Sequence, residues 1–151
     1  MKVLIAVEES ECSRLALESV VKRHWPEGSQ FRVISVVEPM PFYGAEIYSP
    51  HVINSIVEAE KEVSNRKRQL VKDDVELLKA AHSEDSVSGD VLSGDVRHCI
   101  LDESKEWGAD LIVLGSHARK GFSKLFLGSV AEGVAGNADC SVEIVKGKIT
   151  H

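Results

Sequence analysis

Gly115, Ser116, His117, Ala118, Arg119, Lys120 and Gly121 follow directly on the apolar run Leu111-Ile112-Val113-Leu114, and the pair Gly128-Ser129 stands a short distance beyond. Glycines let backbone N–H groups approach an anion closely, and a hydroxyl at a helix start can donate to it while the helix dipole favours negative charge. No Asp or Glu occurs from Leu111 to Ala131, whereas Arg119, Lys120 and Lys124 are cationic. A glycine-rich turn that feeds a helix within a local basic island is chemistry for a phosphate.

The elements that must position this stretch alternate. Val3 to Val7 reads as a buried strand, and Ser10 can cap a helix carrying Cys12, Ala16, Leu17, Val20 and Val21 on one side. Trp25-Pro26-Glu27-Gly28 marks a turn, after which Phe31 to Val37 supplies a second β-branched strand. Glu38 to His51 holds Pro39, Pro41 and Pro50 among Met40, Phe42, Tyr43 and Tyr48, so it reads as a loop, either a lid or partner surface or simply a packed connection. Val52 to Ala81 lacks Pro and Gly, and the stripe Ile56, Val63, Leu70, Val71, Val75, Leu78 and Ala81 predicts one long helix. Its mixed charges, Arg66-Lys67-Arg68 included, read as a solvated face.

Ser86 to Leu92 is a weaker third strand, interrupted by Gly89 and Asp90. Gly94-Asp95 opens a helix with Val96, Cys99, Ile100, Glu103 and Trp107 along one side, ended by Gly108. Leu111 to Leu114 is the fourth strand, with the glycine stretch after it. A helix through Val130, Val134 and Ala138 follows, in which Gly133 and Gly136 each cost roughly 1 kcal/mol relative to alanine. Ser141 to Val145 is the fifth strand. This alternation, with no second composition regime, predicts one α/β domain over residues 1–151, built on a mostly parallel sheet covered on both faces. In such sheets ligands sit beyond the carboxyl ends of the strands, where the opening stretch lies.

The sequence resembles the universal stress protein family over nearly its whole length. The residues that carry the resemblance are Val3 to Ser10, Gly94-Asp95, Ala109 to His117 and Leu127 to Glu132. The resemblance implies a doubly wound, Rossmann-like five-stranded parallel sheet of order 3-2-1-4-5, a homodimer, and a role in stress survival. Family members that bind ATP share Gly, two residues, Gly, nine residues, then Gly and Ser or Thr. Gly115, Gly128 and Ser129 match this pattern with the spacing intact, while Ala118 replaces the middle glycine. Glu8 stands where the family has Asp. The resemblance also places adenine or ribose contacts at Ala6, Val36 and Leu114, and phosphate contacts along Gly115, Ser116, His117, Ala118 and Arg119 with Gly128, Ser129 and Val130. The implied ligand is ATP or AMP, with Mg2+ as an accompanying ion.

An alanine at 118 either keeps the loop or blocks it. If the position needs a left-handed φ, the β-carbon costs on the order of 1 to 2 kcal/mol; if it only borders the phosphate, the cost is steric. Ordinary roles stay open for each residue: a tight turn at Gly115, an N-cap at Ser129, solvated charges at Arg119, Lys120 and Lys124, and a helix cap at Glu8. A protein-interaction module that binds no nucleotide, working through the fifth strand as a sheet edge and dimer surface, is the alternative function. Slow ATP hydrolysis is a third, for which no catalytic residue can be named.

Composition narrows the field. The 151 residues are 43% hydrophobic and carry a formal charge of -6, which argues against broad binding to nucleic acid or an anionic membrane. No apolar stretch approaches the roughly 18 residues of a membrane span, so a cytoplasmic protein is expected. Cys12, Cys99 and Cys140 lack CxxC spacing and read as reduced, buried thiols. His98-Cys99 and His117 have no metal-ligand spacing, Ser116-His117 are neighbours rather than a nucleophile and base, and neither GxxxxGK[ST] nor GxGxxG is present.

Overall fold

The computed structural model describes residues 1–41, 45–117 and 127–147, and in it the apolar runs pair as one parallel sheet. In chain order the elements are β1 (Lys2–Ala6), α1 (Glu11–Lys22), β2 (Gln30–Val37), α2 (Pro50–Ala81), β3 (Val87–Ser93), α3 (Val96–Trp107), β4 (Leu111–Ser116), α4 (Ser129–Asn137) and β5 (Ser141–Lys146). The sheet order is β3-β2-β1-β4-β5, as the family resemblance implies. β1 is central: Ala6 lies opposite Ile34 of β2 on one side and Leu114 of β4 on the other. Strand order reverses between β1 and β4, which opens a crevice at their carboxyl ends.

Successive strand residues point to opposite faces, so each central strand feeds two cores. Val3, Ile5, Val33 and Val113 face one way and pack with Ala16, Leu17 and Val20 of α1 and Val71 and Leu78 of α2. Leu4, Ile34, Ile112 and Leu114 face the other way and pack with Ile100 of α3 and Ala131 and Val134 of α4. Fully burying a side chain of this size contributes roughly 1.5 to 3 kcal/mol, so these layers hold the sheet in place. Among the described residues no helix is long and apolar enough to cross a membrane.

Four expectations shift. The helix after the proline-rich loop starts at Pro50 rather than Val52, because Ser49 accepts the Val52 N–H and proline suits the first helical position. Its apolar stripe is used unevenly, since Val71, Asp74 and Leu78 are its buried residues and the half before Leu70 stays largely exposed. β4 runs on through Gly115 and Ser116, which lie opposite Val145 and Lys146, so Gly115 belongs to the strand and not to the turn after it. The loop before Ser49 does not pack where it is described: Ile47 is 86% exposed, while Phe42, Tyr43 and Gly44 lie outside the described residues.

Gly89 explains the weak third strand. A β-carbon there would stand 2.6 Å from Val75 Cγ2 and 2.7 Å from Val71 Cγ1, so the glycine that interrupts the strand pattern is what lets α2 settle on β3.

Candidate functional site at the carboxyl end of the sheet

The turn leaving β1 is built by short polar side chains. Val7 donates its N–H to the Ile34 carbonyl at 2.8 Å, and Ser35 Oγ donates to the Val7 carbonyl at 2.8 Å, which ties the end of β1 to β2. Ser10 caps α1 by accepting the Ser13 N–H at 3.2 Å, and Ser13 Oγ accepts the Glu8 N–H at 2.9 Å. The cap is therefore Ser10 and not Glu8. The Glu8 carboxylate reaches across the crevice to His117, Oε1 to Nε2 at 3.1 Å.

Gly115 is what brings α1 against β4. A β-carbon on it would be driven into the Cys12 carbonyl group and would lie 2.6 Å from the Ser13 nitrogen. The first turn of α1 thus rests directly on the β4 backbone, and no side chain fits between them. Beyond it, Ser116 is buried, and its Oγ accepts the Gly128 N–H at 3.0 Å. That bond ties the end of β4 to the start of α4 across the intervening segment.

Gly128 occupies the N-cap position of α4 with φ -61°, and Ser129 is the first helical residue, so the expected capping role of Ser129 falls to Gly128. Among the described residues no side-chain hydrogen bond caps this helix. By contrast Ser10, Ser49 and Asp95 each cap their helices by accepting a first-turn N–H. The amino end of α4, with its positive end, faces the crevice, and no described side chain accepts from its first turn.

Ala6 ends β1 half-buried, and Val36 and Leu114 are 6% and 4% exposed. Leu114 packs in the core beneath α3 and α4, so what it presents at the crevice is its backbone. Val130 is half-buried against the same core, and Ser129 is exposed. Ala6, Glu8, Leu114, Gly115, Ser116, His117, Gly128, Ser129 and Val130 thus gather around the carboxyl ends of β1 and β4 and the start of α4, with Val36 on β2 beside them. Ala118 and Arg119, like Lys120, Gly121 and Lys124, lie outside the described residues.

The family model for the universal stress protein family matches residues 1–146. The chain belongs to that family. Its similarity to Universal stress protein Sll1388 of Synechocystis is 31% identity over 160 aligned residues, covering 96% of this chain and 97% of the relative. Universal stress protein MJ0577 of Methanocaldococcus jannaschii is 25% identical over 155 residues, covering 97% and 95% of the two chains. The solved structure of MJ0577 superposes with a TM-score of 0.80 over 99% of this chain and 97% of that one. An Arabidopsis thaliana protein of the universal stress protein family, solved with AMP bound, superposes with a TM-score of 0.65 at 16% identity over 99% and 93% of the chains.

One contact in this universal stress protein crevice escapes a reading of local sequence. Cys12 Sγ lies 3.7 Å from His117 Nδ1, although the two residues are 105 positions apart. The signal that finds it is topological. Once β1 and β4 are neighbours, the first turn after β1 and the first residue after β4 must meet. Among the described residues no group of three or more His, Cys, Asp and Glu could hold a metal ion.

Proposed function

We propose that the chain binds an adenine nucleotide, ATP or AMP, at the carboxyl end of the sheet. The observation that carries this reading is the α4 amino end, which no described side chain caps, behind a glycine that no described contact requires. Gly128 has φ -61°, and a β-carbon on it would meet Ser116 Oγ at an ordinary 3.6 Å, so among the described atoms neither backbone strain nor packing demands glycine there. Close approach of a ligand to the backbone is the reason we assign to it.

In this reading the phosphates lie against the N–H groups at the start of α4 and the Ser129 hydroxyl, with the backbone from Gly115 onward on the other side. Arg119, Lys120 and Lys124 supply positive charge from the sequence between. The ribose and base lie toward Ala6, Glu8, Val36 and Leu114. AMP in the Arabidopsis relative supports the adenine class. Mg2+ would travel with the phosphates and take most of its ligands from their oxygens and from water.

We extend the reading to a homodimer. β5 pairs with β4 on one side and forms an edge of the sheet, so Ser141 to Val145 can meet the same strand of a second copy in antiparallel fashion.

Mass spectrometry of small molecules released when the purified protein is denatured tests the nucleotide reading. An adenine nucleotide in the supernatant, or a Tm that rises with added ATP, is the expected result. No released nucleotide and no shift at millimolar ATP would contradict it. Sedimentation at micromolar concentration tests the dimer, which a monomer mass would exclude.

A further inference from the structure

Three groups from two distant parts of the chain line up across the mouth of the crevice. Glu8 Oε1 is 3.1 Å from His117 Nε2, and His117 Nδ1 is 3.7 Å from Cys12 Sγ. A carboxylate that accepts from Nε2–H holds the proton on that nitrogen and leaves the Nδ1 lone pair directed at the thiol. Carboxylate, imidazole and thiol in series is the arrangement that activates a sulfur nucleophile. Cys12 is also the second residue of α1, directly behind the Ser10 cap.

Two glycines shape the space around this sulfur. Gly115 allows the Cys12 backbone to rest on β4. Gly147, just past β5, passes so close that a β-carbon on it would stand 2.9 Å from Cys12 Sγ. Cys12 is 6% exposed, and the side chain of His117 beside it is 55% exposed.

The other two thiols lack this setting. Burial pushes the Cys99 thiol up, as do the nearby Asp95 and Asp102 carboxylates, and Cys99 Sγ spends its proton on the Ser93 carbonyl at 3.7 Å. Burial likewise pushes Cys140 up, with Asp110 and Asp139 adding to the effect. Both are poorer thiolates at neutral pH, so the chain carries its own internal controls.

We propose that Cys12 is a reactive thiol that exchanges with low-molecular-weight disulfides, with His117 as its base and Glu8 as the residue that positions His117. The Cys12 S–H proton passes to His117 Nδ1, and the thiolate attacks one sulfur of the disulfide. A new S–S bond joins Cys12 to that sulfur as the old S–S bond breaks. The departing thiolate takes the proton from the imidazolium, so Cys12 is oxidised and one reagent sulfur is reduced to a thiol. This inference does not depend on nucleotide binding.

The test is the rate of reaction of the full chain with dithiodipyridine, a small neutral disulfide whose released thione is followed by absorbance, with peptide mass spectrometry to locate the adduct. Cys12 is expected to react about tenfold faster than Cys99 or Cys140. His117→Ala should remove that advantage, and Glu8→Gln should reduce it by a smaller factor. Glu8→Asp, which keeps a carboxylate at that position, should retain more of the parent rate than Glu8→Gln. Circular dichroism checks that each variant is folded, and the denatured proteins should react alike. If the adduct forms first on Cys99 or Cys140, or if folded His117→Ala reacts as fast as the parent or faster, the proposal fails. If His117→Ala does not fold, Glu8→Gln decides, and an unchanged rate there overturns it.

Discussion

The end of β4 and the start of α4 each contribute a glycine to one short motif, and the two glycines are there for different physical reasons. At Gly115 the backbone of α1 lies where a side chain would begin, so the residue is a condition of helix-on-strand packing. At Gly128 the nearest described atom to a β-carbon is 3.6 Å away and φ is -61°, so neither the backbone nor any described atom excludes alanine. A pattern of spaced glycines therefore mixes a scaffold requirement with a ligand requirement, and only the atoms around each one separate them. Positive φ explains neither: among the described glycines it occurs at Gly28, Gly94 and Gly108.

Substitutions can break this contrast. Gly115→Ala is expected to destabilise by about 3 kcal/mol or more, because backbone rather than a flexible side chain must yield. Urea denaturation would show a lowered midpoint with an unchanged slope, and an unshifted midpoint would remove Gly115 from the scaffold. Ser116→Ala should cost about 2 kcal/mol, since it leaves the Gly128 N–H without its acceptor and unties α4 from β4.

Asp74, on α2 and away from both glycines, calibrates the same stability scale. Burial, with Asp73 beside it, raises its carboxyl from 3.8 to about 6. Between those values the folded state binds more proton than the unfolded one, so stability falls as pH rises through that window and the penalty is complete above it. Asp74→Asn should then gain about 1 to 2 kcal/mol at pH 7, with the gain vanishing below about pH 4. A pH-independent difference would show that Asp74 ionises freely. Gly128→Ala has the smallest expected effect on stability, within about 0.5 kcal/mol, and a large loss there would erase the distinction from Gly115.

How far the sequence reaches is seen in particular elements. Val3 to Val7 and Leu111 to Leu114 announce buried parallel strands because both faces of such a sheet are covered, and every side chain is apolar. Gly108 announces the end of α3, where it adopts φ 71°. The end of β4 is misread because glycine looks like a breaker, yet Gly115 is fully paired with Val145. The stripe in α2 shows which side of the helix faces inward but not how far along it a neighbour extends, so Ile56 and Leu78 look equivalent and are not. Strand order came through resemblance to a family, since periodicity carries no information about which strands are neighbours. The motif residues at the strand ends were legible for the same reason. The Cys12–His117 contact was not, because it exists only once the sheet brings β1 and β4 together.

In the proposed function the start of α4 behind Gly128 holds the phosphates of an adenine nucleotide. Calorimetric titration of Mg2+ and ATP into the parent protein and into Gly128→Val, both shown to be folded, tests it most directly. Saturable binding by the parent that falls by tenfold or more in the variant, about 1.4 kcal/mol, is the predicted result. Absence of binding by the parent at millimolar nucleotide, or equal affinity in the two proteins, would contradict it.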